Sequence, residues 1–162
     1  MKKNLPALLV LLLALAGCAT PPPTDYTPTL ARFFLEDTGP AAVGTMTLPV
    51  SGAQIAVTSK PVFTEGDIVD AVIVQVELGR CLALRLTPAA ARDLYRLTAS
   101  NQGRRLVLTL NGEPLGARRI EAPLAEGMVL IFVEMPEDRL PVLVTNLRRT
   151  SEQLQRAIAK KS

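Results

Sequence analysis

The sequence predicts an α+β fold, a mainly antiparallel sheet with two helices on one face. Three observations predict it. Residues 30–86 divide into short β-type runs separated by turn residues. At Thr87-Pro88 the period changes to that of a helix. The chain then gives strand, hairpin and strand, and closes on a second helical pattern, the order of helices packed on one face of a sheet.

The elements follow in order. Leu30–Asp37 reads as a strand stopped by Gly39-Pro40, and Val43–Val50 and Gln54–Ser59 as two more, parted by Ser51-Gly52. Thr64-Glu65-Gly66-Asp67 is a turn leading into Ile68–Leu78, rich in valine and isoleucine. Gly79 breaks that run. Cys81–Leu86 resumes it, with Leu82, Leu84 and Leu86 alternating with Cys81, Ala83 and Arg85. Thr87 can cap a helix, and Pro88 stands where no N–H is needed. Asn101 and Gly103 end that helix. Leu106–Leu110 is a strand, and Asn111-Gly112 is the strongest hairpin signal in the chain, since a type I′ turn needs positive φ at both positions. Glu113–Ile120 returns, Gly127 turns, and Met128–Val133 is a further strand. Asp138 is expected to cap a final helix in which Leu140, Leu143, Val144, Leu147, Leu154 and Ile158 recur at helical spacing.

The start of the chain is a different kind of sequence. Lys2 and Lys3 precede an apolar run, Leu5–Leu15, too short to span a bilayer as a helix but suited to a signal-peptide core. Leu15-Ala16-Gly17-Cys18 follows and resembles the lipobox of bacterial lipoproteins. The resemblance implies cleavage before Cys18, acylation of its thiol and a lipid anchor in the cell envelope. In that family an aspartate after the cysteine commonly marks inner-membrane retention. Ala19 stands there, which favours the outer membrane. Pro21, Pro22, Pro23 and Pro28 make residues 18–29 an extended, semi-rigid tether. The expected organisation is thus a leader at 1–17, the tether at 18–29, a β-rich part at 30–79, and an α+β region with the final helix at 80–162.

Processing changes the charge argument. The 162-residue chain has 18 Lys and Arg against 15 Asp and Glu; Lys2 and Lys3 leave with the leader, so 16 face 15. No basic stripe interleaved with aromatics occurs, and no nucleic-acid partner is expected. With Cys18 acylated, Cys81 stands alone in an alternating apolar stretch, where a small buried hydrophobe is expected rather than a reactive thiol. There is no histidine, which removes the usual general base, the Ser-His and Cys-His pairs and the commonest zinc ligand. A non-enzymatic protein without cofactor or metal is expected.

From Leu86-Thr87 the chain shows a further pattern: Thr98, Asn101, Gly103-Arg104, Leu106, Leu110, Asn111-Gly112, Ile120 and Gly127. This resembles the head subdomain of the first periplasmic domain of SecD, a membrane subunit assisting bacterial preprotein export. The shared features are a Leu-Thr helix start, a Thr-x-x-Asn-x-Gly-Arg/Lys helix end, a strand closing in Asp/Asn-Gly and an apolar return, over roughly residues 80–147. They are mainly cap and turn residues, so they bear on fold more than on function. The resemblance implies a small periplasmic domain able to contact polypeptides or other envelope proteins. SecD couples transmembrane helices to its head, and this chain departs from that pattern, so no energy-coupled pulling is expected.

One constellation invites a site. Counting out from Asn111-Gly112, Arg105 should face Arg118 and Arg104 should face Arg119, and like charges opposite one another in a sheet are unfavourable. Arg104, Arg105, Arg118 and Arg119 are therefore candidate anion- or partner-binding residues, able to fork onto a carboxylate or phosphate. The plainer alternative is that Glu121 or distant acids neutralise them. Glu36-Asp37, Glu65 with Asp67, and Glu137-Asp138 sit at strand ends, turns or helix starts, where acids are ordinary. The functional expectation is a lipid-anchored envelope protein that binds an exported polypeptide or an envelope protein. The alternative is a structural adaptor on cell-wall or outer-membrane components with no export role.

Overall fold

The computed structural model describes residues 25–39 and 44–160. The leader, Cys18 and the tether as far as residue 24 lie outside the described residues. Eight strands and two helices follow: β1 (Ala31–Leu35), β2 (Gly44–Thr47), β3 (Gln54–Val57), β4 (Ile68–Val76), β5 (Gly79–Leu86), α1 (Pro88–Ser100), β6 (Arg105–Leu110), β7 (Glu113–Arg119), β8 (Met128–Ile131) and α2 (Leu140–Ala159). The α+β class holds. Antiparallel pairing is divided among three sheets, β1–β6–β7, β2–β3 and β4–β5–β8, rather than gathered in one.

The division follows from burial. β1 buries Ala31, Phe33 and Leu35 and sends them into the middle of the molecule, where it pairs with distant β6, Phe33 opposite Leu108. β5 is the central strand of the third sheet. Its Leu82, Leu84 and Leu86 are buried with Ala71, Val129 and Ile131 from the flanking strands. Leu94 of α1 and Leu140, Leu143 and Leu147 of α2 close the same core. A smaller cluster, Leu48, Ile55, Val57 and Val107, lies under the β2–β3 hairpin. Residues 79 and 80 lie within the β4–β5 hairpin, and the described residues before and after them contribute to one core.

Local chemistry sets the helix ends. The Ala90 N–H donates to Thr87 Oγ at 3.3 Å, with Pro88 in the first turn. At the other end of α1, Asn101 Nδ2 donates to the Leu97 carbonyl at 2.8 Å, and Gly103 takes a φ of +85° that a side chain would resist. Asn111 and Gly112 both have positive φ, 51° and 92°, as a type I′ turn requires. The expected Asp138 cap does not form. Glu137–Arg139 make a 3-10 turn that runs directly into α2, and its N-cap position falls on Arg139, already in helical conformation. Pro141 in the first turn of α2 removes one of the N–H groups a cap would have served.

The β1–β6–β7 and β4–β5–β8 sheets meet where β7 passes the end of β8. Glu134 N–H donates to the Leu115 carbonyl at 2.7 Å, and Gly116 lies so close that any Cβ there would collide with the Phe132 carbonyl. Gly116→Ala is therefore expected to lower unfolding free energy by roughly 2 kcal/mol or more. Urea denaturation checks it; an unchanged midpoint would mean that the two strands part freely.

Candidate functional site

The candidate arginines occupy the strand ends farthest from the Asn111-Gly112 turn, but one residue out of the expected register. Arg105 stands opposite Arg119, and Leu106 opposite Arg118. The cause is a bulge: Thr109 pairs with Pro114 and Leu108 with Gly116, leaving Leu115 extra. Pro114 has no N–H to give to the ladder, and the Leu115 carbonyl turns to Glu134 instead.

Acids just beyond β1 answer two of the four guanidinium groups. Arg105 donates from Nη2 and Nε to the Glu36 carboxylate at 2.7 and 3.1 Å, and its backbone N–H adds a third bond at 2.8 Å. That hydrogen bonding holds the Glu36 carboxyl below its ordinary 4.5, against the opposing effect of burial. Arg104 donates to Asn101 Oδ1 at 2.7 Å and lies 3.6 Å from Asp37, while its Nε is buried without a partner among the described residues. Of the other acids, Glu65 grips Arg32 through two bonds at 2.8 and 2.9 Å, and Asp67 accepts the N–H and hydroxyl of Thr64. Glu137 lies 3.9 Å from Arg80. The distant acids Glu36 and Asp37, rather than Glu121, meet Arg105 and Arg104.

Arg118 and Arg119 are differently placed. Arg118 Nη1 donates to the Leu130 carbonyl at 2.9 Å, and Arg119 is exposed. Both line a hollow of about 370 Å³ with Val76, Leu78, Leu130 and Phe132. Leu78 and Phe132 are 86% and 43% exposed, although both are large and apolar.

The hollow is one end of a wider surface. Residues opposite one another in a sheet share a face. Ala71–Leu84–Val129 and Ile73–Leu82–Ile131 point into the core. Asp70–Arg85–Met128, Val72–Ala83–Leu130 and Val74–Cys81 therefore point out. That outer face is apolar except at its Asp70–Arg85 ion pair, 3.0 Å. Val72 is 38% exposed on it. Cys81 is buried between larger neighbours, and burial pushes its thiol up, as expected of a small hydrophobe. Adjoining hollows share Arg118 and Leu130 at one side and Met128 at the other, so the surface is continuous.

The chain enters the fold far from the Arg119 end of this groove. Tyr26 donates to Gln153 at 2.7 Å, Arg149 meets Asp25 at 3.2 Å, and the Leu30 N–H donates to Asn111 Oδ1 at 2.8 Å. Entry is thus at the Asn111-Gly112 turn, and the seven residues of β7 carry Arg119 about 20 Å away. Among the described residues no helix is long and apolar enough to cross a membrane.

Solved structures supply the comparison. A chain from a study of SecDF, described as a membrane component that enhances protein export, superposes with a TM-score of 0.59 at 18% identity, over 80% of this chain and 71% of that one. SecDF in a super-membrane-facing form gives 0.60 at 20% identity, and SecDF from Thermus thermophilus, a translocon-associated membrane protein, gives 0.52 at 21%. The fold is SecD-like. The SecD-like chain covers 74% and 77% of its own length in the last two matches but spans only 18% and 20% of those longer proteins. No protein family matches the sequence, and no curated protein does.

Of the residues lining the hollow, the sequence singles out Arg118 and Arg119 and does not single out Val76, Leu78, Leu130 and Phe132. The available signal was Ile68–Leu78 itself, apolar on both faces of a strand whose one face meets solvent. The Glu36–Arg105 contact yields a pH prediction. A carboxyl whose folded pKa is depressed adds stability above its unfolded pKa and loses it as pH falls through the folded value. Glu65, lowered by its bond from Arg32, behaves alike. Thermal midpoints should hold above about pH 5 and decline below the ordinary carboxylate value of 4.5. Glu36→Gln should lower the midpoint at pH 7 and make the decline shallower; an identical acid profile would sink this assignment.

Proposed function

We propose that this protein is a lipid-anchored, non-enzymatic component of the bacterial envelope, whose SecD-like domain binds polypeptide on the outer face of the β4–β5–β8 sheet. Acylation at Cys18 fixes the chain to the periplasmic side of a membrane, the outer one where the cell has two. The observation that carries the reading is the apolar groove bordered by Arg118 and Arg119, set a strand's length from the point where the tether enters. Val76, Leu78, Leu130 and Phe132 offer area to apolar side chains, and Arg119 offers an exposed guanidinium to a carboxylate. A fold shared with SecDF supports a periplasm-facing domain, while export itself is a property of that larger membrane protein.

An adaptor role on an envelope component is the second reading, and exposed Tyr95 between Arg92 and Arg96 on α1 favours it. Crosslinking separates the two: a photoreactive group at Phe132 should trap many polypeptides under the first reading, and one stoichiometric protein trapped from Tyr95 would support the second.

Intact mass of membrane-extracted protein should show a lipid-sized increase on a chain beginning at Cys18, lost in Cys18→Ser; a soluble, unmodified chain would remove the anchor. Arg118→Glu combined with Arg119→Glu should weaken capture of an acidic polypeptide by about tenfold or more, and unchanged binding would reject the arginines as a site.

A further inference from the structure

β4 is an edge strand. Its nine residues, Ile68–Val76, pair with β5 on one side, and among the described residues no other strand pairs with it. Val76 and Gly79 close the two-residue turn Glu77-Leu78, and the closing pair of such a hairpin is a hydrogen-bonded one. Alternation then makes Val74–Cys81 and Val72–Ala83 bonded pairs and turns the N–H and C=O groups of Ala71, Ile73 and Gln75 outward. At Ala71 the edge is partly shut. Its N–H donates to Asp70 Oδ1 at 2.9 Å, a bulge precedes it, and Arg148 reaches around from α2 to Asp70 at 3.2 Å. At Ile73 and Gln75 nothing among the described residues answers the outward groups.

We propose that this open edge captures an extended segment of another polypeptide by strand addition, its backbone bonding to Ile73 and Gln75. The inference rests on the polypeptide-binding reading and specifies how the chain is held. An exposed, β-branched, apolar edge is a template for a further strand, and main-chain bonds grip without regard to sequence.

The geometry also selects the occupant. α2 runs antiparallel along β4, with Glu137 near Arg80 at one end and Gln155 donating to the Gly66 carbonyl at the other, and it packs on β4 rather than on β5. A second copy paired edge to edge would bring two β4 strands within about 5 Å, and with them two α2 helices that need about 8–10 Å. A lone strand has no such helix. Its side chains under α2 must be small, whereas those on the other face extend the surface of Val72, Val74 and Val76. The segment recognised is therefore one in which apolar and small residues alternate.

The test uses the full chain in detergent micelles and a fluorescein-labelled heptapeptide alternating valine with serine, beside the same peptide N-methylated at alternate residues. Strand addition predicts that N-methylation, and separately Gln75→Pro, each weaken binding by at least about tenfold. It also predicts that the unmodified peptide slows amide exchange at Ile73 and Gln75, a measurement on the natural sequence that stands even if the proline variant fails to fold. Equal binding of both peptides with unchanged exchange there, while Phe132→Ala weakens binding, overturns strand addition and leaves the groove reading intact. If neither peptide binds, both readings fall. A dimer in sedimentation that Gln75→Pro dissolves gives the edge to a second copy and overturns the inference.

Discussion

The alternation of side chains along β5 decides what lies inside this domain and what lies outside. Leucines at 82, 84 and 86 fill the space shared by both three-stranded sheets and both helices, so removing any of them would open a cavity in the only large apolar cluster described. The intervening Cys81 and Ala83 are small. On the outer face they sit lower than Val72, Val74 and Leu130 around them, and the surface becomes a hollow rather than a ridge. One eight-residue strand thus builds the core and the floor of the groove at once.

The electrostatics of the arginine-rich end follow from a missing donor. With Pro114 in β7 the hairpin bulges at Leu115, and the residues beyond it shift by one. Arg105 then faces Arg119 directly, an arrangement that stands because Glu36, just beyond the neighbouring strand β1, neutralises Arg105 with two side-chain bonds. The same shift sends Arg118 toward β8, where the Leu130 carbonyl holds it over the groove. Structural and exposed guanidinium groups are therefore sorted by which sheet they meet.

Legibility in the sequence tracked the range of the interaction. Thr87-Pro88, Asn101 with Gly103, and Asn111-Gly112 act through bonds within a few residues, and each stands where the pattern put it. The buried leucines of β5 and α2 were readable from period alone. Asp138 misled because a 3-10 turn can extend a helix backwards and leave its expected cap unused. The pairing of β1 with β6, the split into three sheets and the answering of Arg104 and Arg105 by Glu36 and Asp37 depend on contacts far apart in the chain, which no local pattern encodes. The groove was hidden for a related reason: valine at 72, 74 and 76 looks the same whether a sheet face is covered or bare.

The strand that begins the fold is also among the last to be completed. Ala31 lies opposite Leu110, and the β1–β6 ladder cannot form until everything between has appeared. In a chain delivered from its N-terminus, the β4–β5 hairpin is available early, whereas Phe33 and Leu35 wait for Leu106 and Leu108. During that interval the apolar side of β5 has neither the β1–β6 ladder nor α2 above it. A domain arranged this way folds slowly for its size and spends its immaturity sticky, a kinetic burden set by its topology.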